Sequence, residues 1–248
     1  MSDPLRVVLG YDSTEVPGVY ACIESILDHS SKPVSFILLK QDALRKDNIY
    51  FKDRTPDEAT EFSRSRFLAP YLVDYKGPVL FMDGADMIVK ADITELFESV
   101  PTGIDVAVVK HDYAPLEDRK FNGAAVQSQY PRKLWSSLML FWAQTQACQR
   151  LTPRYVSEAS GAELHQLKWI TPPQIKGYET HSDEDRIANR VFGIGEEWNW
   201  IPGHSEARVS FEDAKIVHYT TGTPAQGCKV PYQDLWEGYH KQSSEIAA

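Results

Sequence analysis

An apolar and β-branched run, Arg6-Val7-Val8-Leu9-Gly10-Tyr11, is followed by a helical repeat and then by a second apolar run, and this order restricts the fold most. The first run reads as a buried strand closed by Asp12-Ser13. Val16, Val19, Tyr20, Ile23, Ile26 and Leu27 recur at helical spacing, giving one apolar face to a helix that begins after Asp12-Ser13-Thr14 and tolerates Pro17 in its first turn. Val34 to Leu39 reads as a second strand. Strand, helix, strand in that order predicts an α/β fold with a parallel sheet. Pro78 to Met82, Asp105 to Val109 and Leu138 to Phe141 repeat the pattern, and Lys215-Ile216-Val217 is a late, short strand that delivers His218. Ligands of open α/β sheets gather past the carboxyl ends of strands, where Asp12, Asp83 and His218 all stand, so the three are expected to share one site. Residues 150 to 215, with Pro153, Pro172, Pro173 and Pro202, read as a variable substrate-facing region rather than another repeat of the sheet.

The 248 residues contain no linker-like stretch, internal repeat or low-complexity segment, so a single domain is expected. Acidic residues outnumber basic ones, 35 to 26, for a formal net charge of −9. Such a chain is repelled by phosphate backbones unless its basic residues cluster, and the pairs Arg119-Lys120 and Arg132-Lys133 read as solvated surface. Nucleic acid is therefore a poor default partner, though a few clustered cations could still guide it. Met1-Ser2-Asp3-Pro4 runs directly into the first strand with no targeting signal, and no apolar run reaches the length of a membrane span. Cys22, Cys148 and Cys228 are an odd number without metal-ligand spacing, which reads as thiols in a reducing compartment. A cytoplasmic protein is the expectation. Oligomeric state is not legible.

The chemistry concentrates in Asp83-Gly84-Ala85-Asp86, directly after an apolar strand and before Met87-Ile88-Val89. Two carboxylates three residues apart converge only if the chain turns sharply, and glycine permits that turn because it can adopt positive φ. Hard divalent cations prefer oxygen ligands and often keep positions open for substrate phosphates. A departing diphosphate needs that help, because a bound metal neutralises its developing charge. The plainer reading is a surface turn linking two strands.

The stretch from Phe62 to Phe97 resembles the donor-binding segment of family 8 glycosyltransferases, which include glycogenin-like enzymes and bacterial lipo-oligosaccharide galactosyltransferases. The resemblance rests on Arg66, Pro70, the strand Pro78 to Met82, the acidic pair Asp83 and Asp86, and the continuation Asp92-Ile93 and Leu96-Phe97. This chain departs from the family's Asp-x-Asp by one extra residue between the carboxylates. The resemblance implies Mn²⁺ or Mg²⁺ held by Asp83, Asp86 and His218, with Gly84 and Ala85 of the turn against the donor.

Weaker matches follow in the family's order. Gly10-Tyr11-Asp12 resembles the end of the first strand, where side chains contact nucleobase and ribose; a core tyrosine and a helix-capping aspartate are the alternative. Arg66 is read as a charge-assisted contact to diphosphate or to a site carboxylate, with Arg64 competing for the part. After His218, Gly222 matches the family's glycine, while its Lys-Pro-Trp element is absent and Lys229 is the substitute offered for the diphosphate-contacting lysine. Asp183, Glu184 and Asp185, with Asn189, resemble the family's acidic catalytic segment in an ambiguous register; acidic residues in a helix's first turn are the alternative. Ser136 and Ser137 stand where relatives read Asn-Ser-Gly, and His111, Asp112 and Tyr113, which follow a strand, are expected to line the sugar pocket.

The resemblance implies one GT-A-type domain over residues 1–248, Rossmann-like, with a mostly parallel central sheet flanked by helices. Residues 1–110 would form the nucleotide-sugar half and 111–248 the acceptor-side half. The implied reaction moves a sugar from a nucleotide diphosphate-sugar, a UDP-sugar by resemblance, to an unidentified hydroxyl acceptor with retention. Two alternatives stand beside it: a non-catalytic nucleotide-binding or scaffold protein with a decayed site, and a transferase acting on a modified nucleobase in DNA.

Overall fold

A computed structural model describes residues 3–55, 58–113, 119–120, 125–126, 130–171, 187 and 190–246. Ten strands are present among them: β1 Leu5–Gly10, β2 Val34–Leu39, β3 Pro78–Met82, β4 Met87–Val89, β5 Val106–Val109, β6 Arg119–Lys120, β7 Ala125–Val126, β8 Leu138–Trp142, β9 Val191–Ile194 and β10 Ile216–His218. Six form the central sheet in the order β2-β1-β3-β8-β5-β9. All neighbours run parallel except β8, which is antiparallel to both β3 and β5. The expected α/β architecture with a mostly parallel sheet is therefore present.

The four inner strands, β1, β3, β8 and β5, are buried on both faces, and their residues divide with a period of two. Val8, Val79, Phe81, Val106, Val108, Met139 and Phe141 face one apolar cluster. Val7, Leu9, Leu80, Met82, Ala107, Val109, Leu138 and Leu140 face the other, under Cys22 and Ile26 of the helix Val16–His29. Continuous apolar runs are what strands buried on both faces require. That helix starts where the spacing indicates, with Pro17 in its first turn.

Two readings need correction. Val191–Ile194 lies in the segment expected to stay outside the sheet, yet it pairs in parallel with β5 as an edge strand. Only Val191 of it is buried and Gly193 interrupts it, so its apolar signal is weak. The strand carrying His218 is not in the central sheet: β10 pairs antiparallel with β4, with His218 opposite Met87. This ribbon rests on a third apolar cluster, where Trp200, Val217, Tyr219 and Trp236 of the helix Gln233–Ile246 meet Ala21 and Ile88. Among the described residues no helix is long and apolar enough to cross a membrane. Asp183, Glu184, Asp185 and Asn189 lie outside the described residues.

Candidate metal and donor site

The turn Asp83 to Asp86 is forced by its neighbours. Gly84 has φ +78°, and a Cβ there would stand 2.9 Å from the Gly10 carbonyl oxygen. Gly10 is as tightly constrained, since a Cβ would meet the Phe62 ring at 2.5 Å and the Asp83 carbonyl at 2.7 Å. The ends of β1 and β3 thus lie backbone to backbone, which only glycine at both positions allows. The Asp83 amide donates to the Ser137 carbonyl at 2.9 Å, and the Tyr219 amide to the Asp86 carbonyl at 2.8 Å.

Three side chains converge above this turn. Asp83, Asp86 and His218 each offer one ligand atom, and these atoms lie within 4.8 Å of one another. The inserted residue, Ala85, does not keep the carboxylates apart, because the turn folds it inward to 1% exposure.

The tautomer of His218 follows from a chain of donors. The Ser137 hydroxyl donates to the Leu134 carbonyl at 2.7 Å, so its oxygen accepts from Asn199 Nδ2 at 2.9 Å. That turns Asn199 Oδ1 toward His218, where it accepts from Nδ1–H at 2.8 Å. The Nε2 of His218 then faces Asp86 Oδ2 at 3.3 Å. A lone pair opposite a carboxylate is favourable only with a proton or a cation between them, and an imidazole fixed through its other nitrogen is the usual design of a metal ligand. Two hard oxygens and one imidazole suit Mn²⁺ or Mg²⁺.

Arg66 meets the carboxylate of its two expected targets. Its Nη1 donates to Asp83 Oδ1 at 2.6 Å and to the Ser136 carbonyl at 2.9 Å, while Nε donates to the Ser63 carbonyl at 3.0 Å. The guanidinium lies 5.2 Å from the ring centres of both Phe62 and Phe81. Such a charge, buried between rings and tied to three oxygens, orients Asp83. Its rival Arg64 is engaged elsewhere, by Glu58 at 2.9 Å and by the Ala159 carbonyl at 3.1 Å.

Asp12 is not part of the cluster. Its Oδ1 accepts from the Thr14 amide and hydroxyl at 2.9 and 2.6 Å, and its Oδ2 accepts from the Glu61 amide at 2.9 Å. It braces two loops, nor does it cap the helix, whose preceding residue is Glu15. Tyr11 is half-buried with Lys40 Nζ 6.0 Å from its ring centre, in position to present an aromatic face. Gly222 has φ +136° and a Cβ there would strike Cys228 Sγ at 2.4 Å, so this glycine serves a close loop crossing. Lys229 is exposed on the same loop.

Several residues around the site carried no role in the sequence reading. Asn199 fixes His218. Tyr130 lies beside Arg66 and Asp83; burial raises its phenol pKa first, with Arg66 opposing and Asp83 reinforcing. Ser136 Oγ is 2.7 Å from Nδ1 of His165, whose pKa burial pushes down to about 3, helped by Arg66 and Arg64. A second cluster, His111, Glu196 and His204, stands at the other end of the single helical turn Glu196–Asn199.

No protein-family model matches the chain. Among solved structures it is similar to the bifunctional glycosyltransferase WbbM (TM-score 0.57, 18% identity), covering 100% of this chain and 52% of that one. The glycosyltransferase GlyE of Streptococcus pneumoniae TIGR4 aligns with TM-score 0.54 and 16% identity over 99% of this chain and 63% of that one. An active-site mutant of LgtC aligns with TM-score 0.56 and 11% identity over 96% of each chain. The chain thus spans between half and two thirds of WbbM and GlyE, and the likeness is one of fold: the GT-A glycosyltransferase fold. The sequence itself is 36% identical to Protein CDI of Arabidopsis thaliana over 256 residues, 98% of this chain and 90% of that protein. The chain therefore belongs to the family of Protein CDI, built on a GT-A glycosyltransferase fold.

Proposed function

We propose that the protein is a metal-dependent glycosyltransferase that moves a sugar from a nucleotide diphosphate-sugar to a hydroxyl acceptor. The observation that carries this reading is the convergence of Asp83, Asp86 and His218 within 4.8 Å beside the strand ends of a GT-A fold. When bound, Mn²⁺ or Mg²⁺ would supply charge neutralisation for the departing diphosphate.

The chain's own residues would do the rest. Asp83 and Asp86 present carboxylate oxygens, and Arg66 holds Asp83 in one orientation. Asn199 keeps the Nδ1 proton of His218 engaged, leaving Nε2 to the ligand. Tyr11 offers a face on which a nucleobase can stack. Residues 1–110 would serve the donor and residues 111–248 the acceptor. UDP as the nucleotide, transfer with retention, an acidic role for Asp183, Glu184 and Asp185, and a diphosphate contact from Lys229 are parts of this reading supported by the family 8 resemblance. A reducing, cytoplasmic setting belongs to it too, supported by three buried cysteines.

The test is metal-dependent release of nucleoside diphosphate from a panel of nucleotide-sugars, with and without Mn²⁺. The expected result is release that a chelator stops and that Asp83→Ala and Asp86→Ala each abolish. A panel giving neither binding nor turnover would leave the reading without support.

A further inference from the structure

The second cluster differs from the first in its atoms. His111 follows Lys110 just past β5, Glu196 opens the turn Glu196–Asn199, and His204 lies in the loop beyond it. The His111 side chain is 0% exposed. Neither of its ring nitrogens has a hydrogen-bond partner, and neither does Nε2 of the half-buried His204. Buried polar groups are ordinarily matched, so unmatched nitrogens lying close to one another mark a place where something else can bind. Glu196 Oε1 stands 3.8 Å from His111 Nδ1 and 4.0 Å from His204 Nε2. One ligand atom from each of the three lies within 4.8 Å of the others.

We propose that His111, Glu196 and His204 form a second metal site, distinct from the donor site, that takes a borderline transition metal of the Zn²⁺ class.

The chemistry of the atoms selects that class. Two imidazoles and one carboxylate suit Zn²⁺, whereas Mg²⁺ and Mn²⁺ favour oxygen-rich sets. Three protein ligands leave a fourth tetrahedral position for water or a ligand oxygen. Metal–ligand bonds of about 2.0–2.1 Å place tetrahedral ligand atoms roughly 3.3–3.4 Å apart, so Glu196 and each histidine close by about half an ångström on binding. The frame is already braced. Trp135 Nε1 donates to the His111 carbonyl at 3.0 Å, and the Ser205 hydroxyl to Glu196 Oε1 at 2.6 Å.

Arg208 is the competitor. Its Nε and Nη2 donate to Glu196 Oε2 and Oε1 at 2.5 and 2.7 Å, and its side chain is 50% exposed. A metal on Glu196 has to displace part of this cation or tolerate it, and an exposed arginine can turn outward. Removing Arg208 should therefore strengthen binding, which a merely structural Arg208–Glu196 pair would not do.

The experiment titrates chelator-stripped protein with Zn²⁺ against a competing chromophoric chelator, in an Asp86→Asn background that removes the first site's ligand. Co²⁺ absorption reports tetrahedral geometry in parallel. One Zn²⁺ per chain is expected, with affinity falling tenfold or more in His204→Ala and in His111→Gln, and rising severalfold in Arg208→Ala. Zn²⁺ bound no tighter than about 0.1 mM in that background would overturn the proposal. So would affinity within twofold of the parent in both histidine variants. Should those two fail to fold by circular dichroism, Arg208→Ala decides alone, because it keeps every ligand; unchanged or weaker binding there overturns the site. Failure of the donor reading would appear separately, as absent nucleotide-sugar turnover with Zn²⁺ binding intact.

Discussion

The single helical turn Glu196–Asn199 feeds two clusters with opposite character. At its end, Asn199 locks one histidine beside two carboxylates, one of which is oriented by Arg66. At its start, Glu196 reaches His111, both of whose ring nitrogens are unmatched, and the unmatched Nε2 of His204, and its own oxygens are held by Arg208 and Ser205. The first is oxygen-rich and organised in advance. The second is nitrogen-rich and held open by a competitor. Preorganisation is thus a property of the surrounding bonds, since the ligand atoms of both triads lie within 4.8 Å of one another.

The largest expected effect separates the two clusters directly. Asp86→Ala should lower metal-dependent nucleoside diphosphate release by about a thousandfold. Turnover within tenfold of the parent would place the donor's metal elsewhere.

Next comes the bond that makes the first cluster organised. Asn199→Ala frees the His218 ring and should weaken Mn²⁺ activation by roughly 10–100-fold, in the metal concentration needed more than in kcat. Ser137→Ala, one bond further out, should act in the same direction and less, because it only fixes which way the Asn199 amide faces. Equal effects from both would show that the amide's orientation carries everything.

Gly84→Ala tests whether the turn itself is strained toward its shape. At φ +78°, with the Gly10 carbonyl 2.9 Å from the added carbon, a loss of about 1–3 kcal/mol in unfolding free energy is expected. A chemical denaturation midpoint unchanged from the parent would contradict the close packing of β1 on β3.

The smallest effect is in pH. His111 and His165 both have folded-state pKa values pushed down to about 3 from the ordinary 6.5. Protonation therefore favours the unfolded chain, and stability that is whole above about pH 6.5 is lost as pH falls from there toward 3. Unfolding midpoints in urea should decline between about pH 7 and 5, with a shallower slope in His165→Gln. A flat profile would mean that the imidazoles reach water or a counter-ion.

What the residues reveal in one dimension is the sheet and the acidic turn. Both-face burial writes itself as unbroken apolar runs, so β1, β3, β5 and β8 are legible, and Gly84 announces the reversal that brings two aspartates together. The direction of β8 is not legible, because a strand buried on both faces looks alike in either orientation. Nor is the fate of Asp12, which stands at a strand end as a ligand would, yet spends its oxygens on Thr14 and on a backbone amide 49 residues away. Glu196 and His204 escape notice because the strand before Glu196 is a weakly apolar edge strand, His204 lies in a loop, and their meeting with His111 depends on how that loop folds back. Side chains become a site through register and loop closure, and spacing along the chain records neither.

The β4–β10 ribbon has a consequence for how the protein comes into being. Asp86 and His218 are 132 positions apart, and the ribbon that joins them is backed by a helix at Gln233–Ile246 lying over the first helix of the chain. A chain growing from its amino end can lay down β1, β2 and β3 early, but it must wait until β10 has emerged before the histidine reaches the aspartates. The triad of Asp83, Asp86 and His218 therefore assembles as one of the later events of folding, and a chain that has formed only the sheet holds two of its members without the third.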